Sequence, residues 1–284
     1  MTSEVIAHLT QGSYSAAMSE LSVQTLLDTK IVTLLDVACR GSCRHRSPEE
    51  CTSATHMVFP YRGVYVRHVG RSEAVAEANQ VLFFNRGESY QISHPVAGGD
   101  ACLSLVIADP ARAELAPQEP NEQRRRITSD AQTLLVQLRH RLVNKLIGVL
   151  EAESMALTLA RSALGERSAS GTAGKRKLVE RAKLVLASDL ARRWTLAEVA
   201  AEVGVSPVYL TQLFKQVEGM PLYRYQMRLR LARALELLER GHAADDISAL
   251  SMDLGFSSHS HFTATFRRAY GRTPVDFLRS IQRR

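Results

Sequence analysis

Between Ile31 and Asp109 the apolar residues come in short runs broken by Gly, Pro, Asn and Asp. IVTLLDVAC (31–39), HMVFPYRGVYVRHVG (56–70), NQVLFFNRG (79–87), SYQISHP (89–95) and ACLSLVIAD (101–109) are rich in β-branched and aromatic residues. Such residues suit the pleated, half-buried surface of a strand. So many short strands in one segment predict a small sandwich or barrel. After an irregular stretch over 110–127 the period changes. In SDAQTLLVQLRHRLV (129–143) Leu134, Leu135, Leu138 and Leu142 share one helical stripe. In LIGVLEAESMALTLARSAL (146–164) Leu146, Val149, Leu150, Leu157 and Leu164 share another. Either stripe can pack on the strands, or the two helices can form a dimer interface as an antiparallel pair.

GERSASGTAG (165–174) has no apolar period and is rich in Gly, Ser and Ala, the composition of a flexible linker. The chain therefore divides into a loose N-terminus over 1–20, a strand-rich unit over 21–127, two helices over 128–164, the linker, and a helical unit over 175–284. The fold class is α+β.

In the last unit KRKLVERAKLVLASDLA (175–191) is amphipathic, with Leu178, Ala182, Val185 and Leu186 on one face. TLAEVAAEV follows, opened by Thr195 with Glu198 three residues on, the pattern of a capping box. Gly204 ends it, and Ser206 with Pro207 starts PVYLTQLFKQV, which buries Leu210, Leu213, Phe214 and Val217. A helix, a short glycine turn and a second capped helix make a helix-turn-helix, whose second helix enters the major groove N-terminus first. Behind the Ser206 cap, Val208, Tyr209, Thr211, Gln212 and Lys215 lie away from the apolar face. Gln212 can pair with adenine, Thr211 and Val208 can touch a thymine methyl, and Lys215 suits phosphate.

The same syntax recurs in DDISALSMDL (245–254), Gly255, the caps Ser257 and Ser258, and HSHFTATFRRAYG. Phe262, Phe266, Ala269 and Tyr270 form its apolar face. His259, Ser260, His261 and Ala264 are candidates for bases, and Thr263, Arg267 and Arg268 for bases or phosphates. Carboxylates would be out of place on such a face, beside the phosphates. The alternative for His259 and His261 is ordinary surface or capping histidine. Between the units, PLYRYQMRLRLARALELLER (221–240) is long enough as one helix, about 30 Å, to hold two reading helices roughly one DNA turn apart. Arg224, Arg228 and Arg230 on it are expected near the DNA backbone.

Charge sharpens this division. The formal net charge is +7. Lys175 to the C-terminus carries 19 Lys+Arg against 11 Asp+Glu, a net +8, and residues 1–174 carry 17 against 18. The basic excess lies wholly in the helical unit, as expected if that unit meets a polyanion; the alternative is a solubilising surface charge. Apolar runs fall short of a membrane span and the N-terminus lacks the pattern of a secretory signal, so a cytoplasmic protein with no membrane partner is expected.

These residues carry a family resemblance. LAEVAAEVGVSPVYLTQLFKQVEGMP and ISALSMDLGFSSHSHFTATFRRAYGRTPVDFLR resemble the DNA-binding domain of AraC/XylS-type bacterial transcription regulators. Gly255, Phe256, Ser258, Phe262, Phe266, Gly271, Thr273, Pro274 and Phe277 agree with the pattern; Val208 and Ala264 depart from its commonest form. The resemblance implies a seven-helix domain on double-stranded promoter DNA, usually activating through RNA polymerase. It also implies a cupin-like regulatory β-barrel followed by dimerisation helices in a homodimer, with a small-molecule effector.

Arg62, Tyr65, Arg67, His68 and Tyr90 could line an effector site. CRGSCRHRSPEEC brings Cys39, Cys43 and Cys51 near His45 and His56, with Cys102 further on. Thiolates and imidazoles could bind zinc, nearby arginines could tune a redox-sensing thiol, or the cysteines could be incidental. A cysteine-dependent repair enzyme joined to a DNA-binding domain is conceivable, but the spacing gives it little support. G-x-S-x-G, P-loop and H-E-x-x-H motifs are all missing, and the expectation is a regulator without enzymatic activity.

Overall fold

The computed structural model describes residues 21–41, 44–115, 122–165, 172–241 and 246–282. The expected loose N-terminus, Cys43 and most of the expected linker lie outside the described residues.

Among the described residues ten strands run antiparallel: β1 (Leu21–Asp28), β2 (Val32–Cys39), β3 (Glu50–Cys51), β4 (His56–Arg62), β5 (Tyr65–Val69), β6 (Ser72–Ala76), β7 (Gln80–Phe84), β8 (Ser89–Ser93), β9 (Asp100–Ile107) and β10 (Arg124–Arg126). They form a six-stranded sheet, ordered β1-β2-β9-β4-β7-β10, and a four-stranded sheet, ordered β3-β8-β5-β6. The two-residue alternation of strand side chains sorts the core into layers. Met57, Phe59, Tyr61, Val81, Phe83, Leu103 and Leu105 point to one face of the larger sheet. Val58, Leu82, Phe84 and Cys102 point to the other, where they meet Tyr65 and Ala76 of the smaller sheet. No strand pairing joins the sheets among the described residues, so the expected barrel is an open two-sheet packing.

Helix α1 (Asp109–Leu115) precedes β10; α2 (Ser129–Val143) and α3 (Val149–Gly165) follow it. Thr128 caps α2 by accepting from the Ala131 N–H. Leu135 and Leu138 of α2 pack on the larger sheet, and Val136 enters the core of the helical half. Helix α2 is therefore occupied on two sides within the chain. The stripe expected on α3 does not pack on the strands in its first turn: Val149 and Leu150 stand exposed, Leu150 at 81%. The packing face is instead Ala152, Ala156, Leu159, Ala160 and Ala163, all fully buried. Alanines four apart let two helices approach more closely than leucines would, and this takes the seam.

Seven helices follow among the described residues: α4 (Ala173–Ser188), α5 (Leu196–Val203), α6 (Pro207–Glu218), α7 (Leu222–Glu239), α8 (Ile247–Asp253), α9 (His259–Tyr270) and α10 (Pro274–Gln282). Helix α4 already begins inside the expected linker. Tyr225 and Leu229 of α7 join one core with α4, α5 and α6. Leu231, Ala234, Leu235 and Leu238 join the second with α8, α9 and α10.

The sheet half and the helical half meet through buried charge. The Arg124 guanidinium donates to Glu180, and to Glu218 at 3.0 Å. Lys183 Nζ lies 2.9 Å from Glu218 and 3.4 Å from Glu180. Glu180 also accepts the Val75 backbone N–H at 2.6 Å. Beside them the Tyr225 hydroxyl donates to buried Glu77, and Arg126 donates to the Glu218 carbonyl. Further along, Arg139 on α2 donates to Asp36 at 2.9 Å and to both oxygens of Glu239 at 2.9 Å.

Burial works against the Glu218 carboxylate, but Lys183 and Arg124 outweigh it and hold its pKa down at about 2. A depressed carboxylate adds stability that is complete above the ordinary value of 4.5 and is lost as pH falls toward about 2. Urea unfolding at a series of pH values should therefore show stability falling through that window. Glu218→Gln should lose about 3–5 kcal/mol at neutral pH, because Lys183 and Arg124 are then left to share the single carboxylate of Glu180. Its acid slope should be shallower; an unchanged slope would assign the acid sensitivity elsewhere.

Candidate nucleic-acid interface

Each of the two short helix pairs is built by local chemistry. Glu198 N–H donates to Thr195 Oγ1 at 3.2 Å, and Thr195 N–H donates to Glu198 Oε2 at 2.7 Å, closing the capping box of α5. Those bonds from Thr195, then the one from Arg192, hold the exposed Glu198 carboxyl down at about 2. Gly204 turns the chain at φ +79, and Ser206 caps α6 by accepting from the Tyr209 N–H at 3.2 Å. In the second pair Asp246 caps α8 through the Ala249 N–H at 2.8 Å. Gly255 turns at φ +74, and Ser258 caps α9 through the His261 N–H at 3.1 Å.

The caps aim both second helices with their apolar faces inward. Leu210, Leu213, Phe214 and Val217 are buried on α6, and Phe262, Phe266 and Tyr270 on α9. Ser206, Val208, Tyr209, Thr211, Gln212 and Lys215 are exposed together on one pair. Ser258, His259, Ser260, His261, Ala264, Arg267 and Arg268 are exposed on the other, with Thr263 half-buried. Both faces stay open with the sheet half in place. His261 is also held from behind: its Nδ1 lies 2.9 Å from Ser257 Oγ and its ring meets Phe256 edge-on. His259 Nε2 lies 3.3 Å from Thr263 Oγ1.

The arginines of α7 correct the expectation drawn from their number and spacing. Only Arg224 is exposed. Arg228 donates to the Ile127 carbonyl at 2.6 Å. Arg230 is buried, its charged form disfavoured by desolvation and then by Arg193. It donates to the carbonyls of Leu190, Gly255 and Arg192 at 2.7, 2.8 and 2.9 Å. One guanidinium thus ties the turn of the second pair to the segment leading into the first. A side chain buried on α7 cannot reach phosphate.

In the sheet half the expected effector-lining residues are largely committed. Arg67 is fully buried over the Phe84 ring and donates to the Phe83 carbonyl at 2.7 Å and to Glu88. Tyr65 is buried, His68 pairs with Ser93 at 2.8 Å, and Tyr90 donates to Glu50 at 2.8 Å. Arg62 reaches the Asp100 carbonyl at 3.5 Å. The three described cysteines do not assemble as a set: Cys51 is exposed on β3, Cys102 is buried between the sheets, and Cys39 is half-buried at the end of β2. Cys39 instead meets His94 and Asp100, which sequence reasoning missed. The signal was HPVAGGD, two ligand types bracketing a Pro and Gly-Gly turn.

The helix-turn-helix domain family matches residues 199–280, which hold both pairs apart from the start of α5. Residues 199–280 are a helix-turn-helix domain of the AraC type. Over 86 residues the chain is 36% identical to the regulatory protein PocR of Salmonella typhimurium, covering 30% of this chain and 28% of PocR. It is 33% identical over 100 residues to the transcriptional activator CfaD of Escherichia coli, covering 35% of this chain and 36% of CfaD. A solved AraC-type regulator from Chromobacterium violaceum is 29% identical, covering 39% of this chain and 98% of that one, with a TM-score of 0.36. The chain thus spans about a third of the length of the curated relatives it matches. No helix among the described residues is long and apolar enough to cross a membrane.

The AraC-type domain makes the two turns unequal. A Cβ on Gly204 would meet nothing within 4 Å, whereas one on Gly255 would lie 2.2 Å from the Ala191 carbonyl oxygen and 2.8 Å from Arg230 Nη2. Gly204→Ala should cost only the left-handed backbone penalty, about 1–2 kcal/mol. Gly255→Ala should cost clearly more, since the Arg230 clamp must also give way; thermal unfolding of both variants checks the order.

Proposed function

We propose that the chain is a transcription regulator that reads promoter DNA with two helices at once, α6 and α9, in successive major grooves of one duplex. The observation that carries this reading is the pair of capped, outward-facing second helices joined by one continuous α7 and tied by Arg230. Its 18 residues give a spacer of roughly 27 Å. Gln212 and His259 are assigned to base edges, Val208, Thr211 and Ala264 to thymine methyls, and Ser260, His261 and Thr263 to the same groove face. Lys215, Arg267, Arg268 and exposed Arg224 are assigned to phosphates, with Tyr209 and the caps Ser206 and Ser258 at the groove edge.

The sheet half, residues 21–127, is read as the regulatory unit that responds to an effector. Contact with RNA polymerase follows from the family resemblance. A homodimer is proposed through the end of the α2–α3 pair, where Val143, Leu146, Val149 and Leu150 remain exposed together in sequence.

Footprinting on the chain's own upstream DNA should show two protected major-groove faces about 34 Å apart, with affinity falling steeply as salt rises. Gln212→Ala and His259→Ala should each change base preference by about 1–3 kcal/mol. Lys215→Ala should weaken every sequence alike and lower the salt slope by about 1. If none of the three alters binding, α6 and α9 are not the readers.

A further inference from the structure

Cys39 and Asp100 are cross-strand partners at one end of the six-stranded sheet, on the side facing the smaller sheet. His94 closes the third corner: its Nε2 lies 2.7 Å from Asp100 Oδ1, and both residues are more than nine-tenths buried. One ligand-type atom from each of the three lies within 4.8 Å of the others. In a filled tetrahedral zinc site such atoms stand about 3.5 Å apart, so closure asks for movement of about an ångström. The corner is held by close backbone contact, since a Cβ on Gly99 would lie 2.3 Å from the Cys39 carbonyl oxygen. The Gly41 N–H points at Cys39 Sγ from 3.4 Å, as amides do toward metal-bound thiolates. His94 Nδ1 is buried with no hydrogen-bond partner, while the ring is held by Asp100 and lies against Tyr65.

We propose that Cys39, His94 and Asp100 form a binding site for a divalent transition metal of the zinc class, and that its occupancy is transmitted to α4. Thiolate, imidazole and carboxylate suit such an ion, and three protein ligands leave the fourth position to water. Binding forms one bond to each ligand atom and releases to solvent the Cys39 thiol proton and any proton on His94 Nε2. The transmission path is the loop itself. His94 and Asp100 are its two ends, and Val96 between them packs with Val64, Val66 and Val75 against Leu184 and Ala187 of α4. Drawing the ends together around a metal therefore tightens the loop against the first helix of the helical half. Any consequence for DNA affinity rests on the regulator reading; the site and its coupling to α4 do not.

The test is titration of the reduced, metal-free full chain with Co²⁺. One equivalent should bring up a thiolate-to-cobalt charge-transfer band in the near ultraviolet, with the strong visible bands of tetrahedral cobalt, and Zn²⁺ should bleach both. Cys39→Ser should lose the charge-transfer band and Asp100→Asn should bind at least about tenfold more weakly, each with an unchanged far-ultraviolet circular dichroism spectrum. Cys51→Ser should behave as the parent. No charge-transfer band in the parent overturns the site, and so does a band that survives Cys39→Ser or is lost with Cys51→Ser. Hydrogen exchange with and without Zn²⁺ tests the coupling: amides of α4 around Leu184–Ala187 should gain protection in the parent and lose most of that gain in Val96→Ala. Unchanged exchange in α4 of a metal-loaded parent overturns the transmission while leaving the site standing.

Discussion

The arrangement of the two halves depends on four charges at their seam, three buried and the fourth, Arg124, nearly so. Arg124 comes from the sheet half, and Glu180, Lys183 and Glu218 from the helical half. Taking such groups out of water costs several kcal/mol each, and only close pairing offsets it. A small slide of one half against the other would leave charges buried and unpaired. The contact therefore tolerates being made or unmade and disfavours anything between, which is the property required of a two-state joint. An apolar seam of the same area would hold the halves together without fixing where they sit.

That joint reaches the proposed reading surface through α6. The exposed residues proposed to read DNA, from Val208 to Gln212, lie in its first half. Its last residue, Glu218, carries the carboxylate held by Arg124 and Lys183 and the carbonyl held by Arg126. A rigid helix so anchored has little freedom at its other end. On α7 the Tyr225 hydroxyl bonds Glu77 of the sheet half while Arg230, further along the same helix, clamps the second pair. The interface and the two helices proposed to read DNA are one mechanical unit.

What was legible in the sequence was what is decided locally. Thr195 with Glu198, Ser206 with Pro207, and Ser258 before His259 each fix a helix start through contacts three residues away, so spacing alone reveals them. The apolar faces of α6 and α9 followed from period for the same reason. Choices among distant partners were not legible. Arg230 looked like a phosphate ligand because nothing in its neighbourhood announces the carbonyls of Leu190, Arg192 and Gly255. Leu150 drew attention that belonged to the alanines of α3, since size marks apolar character whereas packing at close range favours the small side chain. Nothing in the spacing of Glu180, Lys183 and Glu218 marks them as partners of one another or of Arg124. A barrel and an open pair of sheets also share one pattern of short strands, and only the pairing distinguishes them.

The small sheet meets α4 through both a hydrogen bond and apolar packing, and Val75 takes part in each. Its backbone N–H is bonded by Glu180, a member of the charge cluster. Its side chain lies in the apolar group with Val96, Leu184 and Ala187. Glu180 and Leu184 are one helical turn apart, so a push on the apolar contact arrives within a turn of the ion pair. Apolar packing yields gradually, whereas the charged cluster does not, because each ångström of separation leaves a buried carboxylate less compensated. A modest change in the loop between His94 and Asp100 would thus be converted at Glu180 into a decision about whether the joint is closed. If the proposed metal is the signal, the two chemistries of the interface have different tasks: the valines would receive it, and the ions would give it a threshold.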